Sequence, residues 1–361
     1  MAALKQHLKT NLFTSLLSLI GAITAANYSC LFQHPKPWEL ALWVIITFVI
    51  FYLATLFSSQ FIRKTSSIRK RRFVYFLYAV TTLLACNLFI FPVTFLLTGH
   101  TVEDNKHSIC CETPLEYGAT EYETVKFKLT DGTTISGWYI PASTHKNSLI
   151  ILIHGHYGDR RATGEWAKIF IEAGYGIYMY DLRGHGESEG LLDYVYSDFS
   201  KDLLDIRNQL AKKYSVKKFG AVGLSMGAHA LTNAVGRDGA AFQVAWIEGL
   251  WPQGPKDVDV FRPLMLMYSN LDAITQIIFK NPAPKLKPLF DILTYNKTTK
   301  IMVVAAGAED MESSVVRKIA SANSMLISTW IIPNALHING ISIVPDEYKQ
   351  KLLDFFEILQ N

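Results

Sequence analysis

The sequence predicts an α/β fold: a mostly parallel sheet of about eight strands with helices on both faces and a cap insertion, preceded by transmembrane helices. Three observations carry this reading. The run Ser148–Ile153 is apolar at every position but its first, as in a parallel strand buried on both faces. From there to the C-terminus short β-branched runs alternate with amphipathic stretches, the pattern of repeated strand–helix units. The first 98 of the 361 residues hold three long apolar spans, so the mean hydropathy of +0.17 belongs mainly to one end of the chain.

The spans run over 12–26, 40–57 and 73–97. The second and third carry no charge and are close to the roughly 20 residues that cross a bilayer; they also lack the polar face of a core helix. Pro92 ends or kinks the third, which a membrane helix tolerates. Between the second and third lie Arg63, Lys64, Arg69, Lys70, Arg71 and Arg72 with no acid, so this loop is expected on the cytoplasmic side and everything after about residue 99 on the periplasmic or extracellular side. The first span reads either as a membrane helix or as a signal peptide with a basic start and small residues at 22–26, and both readings leave the remainder outside. The expected organisation is a multi-pass anchor in the cell (inner) membrane over 1–98, a polar linker over 99–120, and a C-terminal α/β domain over 121–361. Residues 1–98 carry a formal charge of +8 and the rest −4, so the basic balance follows the membrane loops and does not favour nucleic acid.

In the C-terminal domain, Glu123–Leu129 alternates, Asp131–Gly132 supplies a turn, and Thr134–Ile140 completes a hairpin. After Ser148–Ile153 come a helix over 160–173, a strand over 176–180, a helix over 198–214, a strand over 218–224, a helix over 226–235 and a strand over 242–247. Residues 251–299 break the rhythm with six prolines around an apolar middle at 261–278, as expected of a cap over the substrate site. The alternation resumes with a strand over 300–306, a helix over 313–322, a strand over 326–332 and a helix over 346–359.

The chemistry gathers at Gly223-Leu-Ser-Met-Gly227, where a strand runs straight into a helix. So sharp a corner strains its central residue and leaves no room for side chains two before and two after it, which the glycines satisfy. Ser225 is thereby lifted beside the first N–H groups of the helix. Three further stretches fall on loops that follow strands: His154-Gly-His-Tyr-Gly158, Asp181-Leu-Arg-Gly-His-Gly-Glu-Ser188, and the late pair Gly307-Ala-Glu-Asp310 and Asn334-Ala-Leu-His337.

Taken together, these motifs resemble the α/β-hydrolase superfamily over roughly residues 115–361, and most of all its monoglyceride-lipase, Bem46-like and serine-aminopeptidase-like branches. The membrane segment is not part of the shared pattern. The resemblance implies Ser225 as nucleophile, His337 as general base, Asp310 as the acid orienting the imidazole, and the backbone N–H groups of His156 and Met226 as oxyanion donors. His156 departs from the pattern, which more often has a small residue there. No cofactor is implied. Glu309, beside Asp310, and Glu248, at a strand end, are rival acids; His229, one turn after Ser225, reads as packing, and His185 as part of a structural turn. His154, His156 and Asp159 mimic a metal-binding spacing, but no second histidine cluster accompanies them, and no metal is expected.

The expected activity is that of a serine hydrolase cleaving an ester, carboxylesterase-like or lipase-like, through an acyl-serine, on a small acyl or lipid-like substrate near the bilayer. A peptidase or aminopeptidase, an acyltransferase, and a non-catalytic hydrolase-fold module are the alternatives. A peptidase needs an acid to hold a free amine, for which Asp257, Asp259 and Asp272 are candidates. The sequence leaves the oligomeric state open. Of the four cysteines, Cys86 lies in an apolar span, while Cys30, Cys110 and Cys111 stand as thiols, acylated thiols or a disulfide pair.

Overall fold

Six consecutive residues with no exposed side chain form the centre of the sheet: Ser148–Ile153 is buried along its whole length. Each large apolar side chain buried there contributes about 1.5–3 kcal/mol. In a computed structural model of the chain, the described residues are 105–145, 147–192, 198–253, 255–258, 287–321 and 325–360. The apolar spans expected to cross a membrane, Cys30, Cys86 and the insertion's middle lie outside them. Among the described residues no helix is long and apolar enough to cross a membrane.

Among the described residues the main sheet is built of eight strands, β1 (Glu123–Lys128), β2 (Thr134–Ile140), β3 (Ser148–Ile153), β4 (Gly176–Tyr180), β5 (Lys218–Leu224), β6 (Val244–Glu248), β7 (Lys300–Ala306) and β8 (Ile327–Ile332). They form one sheet in the order β8-β7-β6-β5-β3-β4-β2-β1. Only β2 runs against its neighbours, pairing antiparallel with β1 and β4, while the other pairs are parallel. Because the strand period is two, the sheet feeds two cores. On one face Ile151, Ala221, Ile247 and Val303 meet α2 (Phe199–Tyr214), α3 (Met226–Arg237), α4 (Leu289–Thr294) and α5 (Asp310–Ala320). On the other, Ile150, Leu152, Val222 and Trp246 meet α1 (Gly164–Glu172) and α7 (Pro345–Phe356), which the one-turn α6 (Gly340–Ile343) precedes. Asp198 caps α2 by accepting from the N–H of Lys201, which fixes where that helix starts.

Two boundaries differ from expectation. The stretch read as a linker is built into the domain from residue 105 onward: Asn105–Lys106 pairs with His185–Gly186, and a turn of 3-10 helix, Pro114–Tyr117, buries Tyr117 against α1. The end of the stretch read as a cap belongs to the core, because α4 buries Leu289 and Leu293 completely beneath α3 and α5. The insertion is held at both ends by one side chain. Gln253 Nε2 donates to the Lys287 carbonyl at 2.6 Å, and Gln253 and Asn233 exchange amide hydrogen bonds at 2.9 and 3.1 Å.

The core assignment of α4 has a measurable consequence. Leu293→Ala removes a fully buried side chain and is expected to lower unfolding stability by about 2–5 kcal/mol in urea titrations. A residue of a detached lid would leave the midpoint unchanged.

Candidate active site

Residues Ile153, Gly223, Glu248, Ala306 and Ile332 stand at or beside the carboxyl ends of five neighbouring strands, so the loops that follow converge along one edge of the sheet. At its centre β5 turns into α3 through Ser225, whose backbone has φ 54 and ψ −111. A side chain rarely tolerates such a conformation, and packing on every side holds this one in place. A methyl on Gly223 would lie 2.4 Å from the Gly227 carbonyl oxygen, and one on Gly227 would lie 2.3 Å from that of Ile153. The Ser225 N–H donates to the Glu248 carbonyl at 2.8 Å, tying the corner to the end of β6.

His337 arrives from the loop after β8. Asn334 and Ile338 both have positive φ, 61 and 50, and Asn339 Oδ1 accepts from the Leu336 N–H at 2.7 Å, so the loop doubles back and presents His337 to the corner. His337 Nε2 lies 2.8 Å from Ser225 Oγ. Gly249, with φ 80, lets the ring lie flat against the chain after β6: a methyl there would fall 2.9 Å from His337 Cε1.

His337 Nδ1 is hydrogen-bonded to Glu312, not to Asp310. This corrects the expected acid, and the reason is where α5 begins. The helix starts at Asp310, three residues earlier than its apolar spacing suggests, so Asp310 occupies the first helical position and faces solvent. Glu312, two residues on, turns inward and is fully buried. Its other oxygen accepts from the Ala306 N–H at 3.1 Å, and Ser313 Oγ donates to the Ala306 carbonyl at 3.0 Å, clamping the first turn of α5 to the end of β7. A carboxylate in that turn is also favoured by the helix N-terminus. Glu309 is the N-cap and makes no side-chain capping bond.

Met226 is the first residue of α3, so its N–H has no acceptor within the helix. The loop carrying His156 presses on the same corner: a methyl on Gly155 would stand 3.1 Å from Ser225 Cβ. His156 stacks on Tyr157 with ring centroids 3.5 Å apart, and burial together with repulsion from His185 and His154 lowers its pKa to about 4. The ring is therefore neutral at ordinary pH. His154 uses both nitrogens inside the fold, Nδ1 with the Gly155 carbonyl at 2.6 Å and Nε2 accepting from the Leu182 N–H at 2.9 Å. Asp159 is held by Arg161 at 2.7 Å and His107 at 2.9 Å. Neither is disposed as a metal ligand. Asp181 anchors this loop from below, taking Arg160 Nε and Nη2 at 3.0 and 2.6 Å. His185 Nδ1 pairs with the Arg183 carbonyl at 3.0 Å within the same turn. His229 accepts from the Trp251 N–H at 3.3 Å and pairs with Gln253 at 3.4 Å, so it braces the base of the insertion.

Glu248, the other rival acid, turns away from His337. It is buried with Tyr348, whose hydroxyl donates to it while accepting from Trp166 Nε1 and Trp246 Nε1, each at 2.9 Å. Burial, followed by the nearby Glu312, pushes its pKa up to about 7, although the hydrogen bonds from Tyr348 and Trp246 act in the opposite direction.

Comparisons with known proteins agree with this fold. A family model described as "Serine aminopeptidase, S33" matches residues 144–249. The uncharacterised protein YfhR of Escherichia coli strain K12 is 35% identical over 72 residues, 19% of this chain. That match spans only a quarter (25%) of the relative's length. An esterase of Pyrococcus furiosus superposes with a TM-score of 0.55 at 19% identity, over 71% of this chain and all (100%) of its own. The structure described as "a membrane phospholipase A, a novel bacterial virulence factor" superposes with a TM-score of 0.50 at 18% identity, over 81% of this chain and 99% of its own. The fold is that of an α/β-hydrolase.

The environment of Glu248 predicts a pH dependence of stability. Its folded pKa of about 7 lies above the unfolded carboxylate value of about 4.3. Its contribution is therefore fully present below that unfolded value, declines as pH rises toward 7, and is lost above it, about 4 kcal/mol in all. Glu248→Gln should flatten the difference between urea midpoints measured at pH 5 and pH 7.5; equal slopes in variant and wild type would contradict this account.

Proposed function

We propose that the chain is a membrane-anchored serine hydrolase that cleaves an ester through an acyl-serine intermediate. One observation carries the reading: Ser225 Oγ stands 2.8 Å from His337 Nε2 while Nδ1 of the same ring is bonded to the buried Glu312. With the Nδ1 proton donated to Glu312, Nε2 is left as the acceptor that takes the Ser225 proton as Oγ attacks the carbonyl carbon. The tetrahedral oxyanion is received by the N–H groups of Met226 and His156, each such donor contributing on the order of 3 kcal/mol. The imidazolium returns its proton to the leaving oxygen, and the acyl-serine remains. Water enters, gives its proton to Nε2 and its oxygen to the acyl carbon, and the acid departs as Ser225 is regenerated. No step requires a cofactor.

Preference for an ester is supported by the likeness in fold to the Pyrococcus furiosus esterase and to the membrane phospholipase A. Exposed Tyr157, Trp251 and Leu336, which lie next to or near the site residues in sequence, suit a substrate with an acyl chain. A peptidase is the second reading, favoured by the wording of the matching family model. It needs an acid free to hold an amine, and Asp257 is not free. Its two oxygens accept from the N–H groups of Phe290 and Gln253 at 2.9 and 2.8 Å. Asp259 and Asp272 lie outside the described residues. Anchoring through residues 1–98, with the catalytic domain on the periplasmic or extracellular side, rests on the charge-free spans and the basic loop between them.

Full-length protein in detergent is expected to react with a fluorophosphonate probe and to hydrolyse p-nitrophenyl esters at least about tenfold faster than aminoacyl p-nitroanilides. Ser225→Ala should abolish both signals; undiminished labelling would sink the proposal. Glu312→Gln should lower kcat by about 10³–10⁴ through loss of imidazole orientation, whereas Asp310→Asn should change it less than about threefold. The reverse ranking would return the acid to Asp310. A membrane-impermeant maleimide should label reduced Cys110 and Cys111 in intact cells, and labelling only after lysis would reverse the assigned side.

A further inference from the structure

Cys110 and Cys111 are consecutive and both exposed. Cys111 has φ 74, a left-handed conformation that few side-chain-bearing residues adopt. The chain is fastened on both sides of the pair. Upstream, His107 bonds Asp159 through Nε2 and the Asn105 carbonyl through Nδ1, each at 2.9 Å. Downstream, Glu112 accepts from Tyr117 Oη at 2.6 Å, and the Thr113 N–H donates to Glu116 at 2.7 Å. From the domain side, Arg161 Nη1 donates to the Cys110 carbonyl at 3.4 Å while its Nη2 holds Asp159. A fixed frame therefore presents two solvent-facing thiols that fill no part of the core.

We propose that Cys110 and Cys111 are a redox-active vicinal pair that closes to a disulfide, and reopens, by exchange with low-molecular-weight disulfides and thiols. One thiolate attacks the external disulfide, forming a mixed disulfide and releasing one external thiol. The neighbouring thiolate then displaces the second external thiol and closes the ring. Two cysteine thiols are oxidised, one external disulfide is reduced to two thiols, and no other reactant enters. Adjacency makes the second step intramolecular, so the mixed disulfide is short-lived. Consecutive Cα atoms stand only about 3.8 Å apart, below the usual disulfide span of about 4.4–6.8 Å. The closed ring is accordingly strained and exposed, and it belongs with disulfides that are readily reduced, not with structural staples. The proposal is independent of the hydrolase reading.

The test uses reduced full-length protein in detergent, exposed to oxidised glutathione, alkylated, and digested with trypsin without reduction. Peptide 107–126 contains both cysteines, and it should be recovered two hydrogens lighter and unalkylated, with both thiols restored by dithiothreitol. In Cys110→Ser and in Cys111→Ser the surviving thiol, deprived of its resolving partner, should retain a glutathionyl adduct at least about tenfold above wild type. The closed peptide should persist in Cys30→Ser. A wild type that accumulates glutathionyl adducts as fully as the single variants would overturn the proposal, and so would recovery of either cysteine joined to Cys30.

Discussion

The corner at Ser225 depends on the absence of three methyl groups. Its backbone can hold φ 54 and ψ −111 only because Gly223, Gly227 and Gly155 leave the end of β3, the start of α3 and the loop after β3 in mutual contact. Strain of this kind costs on the order of 1–3 kcal/mol and survives only where the surroundings over-determine it. Here the restraint comes from fully buried strands on either side of β5 and from the Ser225 N–H bonded to Glu248. The hydroxyl is aimed by the same packing that makes the sheet stable, so positioning it needs no separate device.

His337 and Glu312 are positioned from the neighbouring strand ends by the same logic. The Gly307 N–H donates to the Ile332 carbonyl at 2.8 Å and that of Ala308 to the Ala335 carbonyl at 3.0 Å, so the loops after β7 and β8 hold each other. Burying Glu312 beside them would be costly without partners. It has two, the Ala306 N–H and the His337 ring, and it lies in the first turn of its own helix. Removing either of them leaves a buried carboxyl short of a donor, which is why the acid is a structural element of the loop pair as well as part of the site.

Much of this was legible in the sequence, and the misses share one cause. Ser148–Ile153 announces a central strand because every position is buried, and Gly223 and Gly227 announce the corner because only glycine fits both contacts. His337 follows from its place after the last strand. Asp310 misled because motif spacing counts residues along a loop, whereas the choice among Glu309, Asp310 and Glu312 is made by the residue at which a helix begins. Once α5 starts at Asp310, its first residue faces solvent and its third faces the base, and the Ser313 hydroxyl on the Ala306 carbonyl fixes that phase. The signal was present as an acid two residues further on, on the same side of the helix as Val315, Val316 and Ile319. The boundaries near 105 and 289 were misplaced for a similar reason. Tyr117 and Leu289 are buried by partners distant in sequence, α1 and α3, and local composition carries no trace of them.

Two buried carboxyls, Glu248 and Glu312, sit close enough to influence each other, yet only one meets the imidazole. Their backbones explain the division. Glu248 is the last residue of β6, and the strand period directs its side chain to the face shared with Trp246 and Tyr348, while its carbonyl holds the Ser225 N–H. Glu312 rides on a helix from the opposite face and reaches the sheet edge from there. Burial pushes Glu248 toward its neutral form, in which it adds little field at the site, and its bond to Tyr348 ties the end of β6 to α7. One carboxyl thus ties down the strand end to which the corner is bonded, and the other holds the His337 ring that faces Ser225.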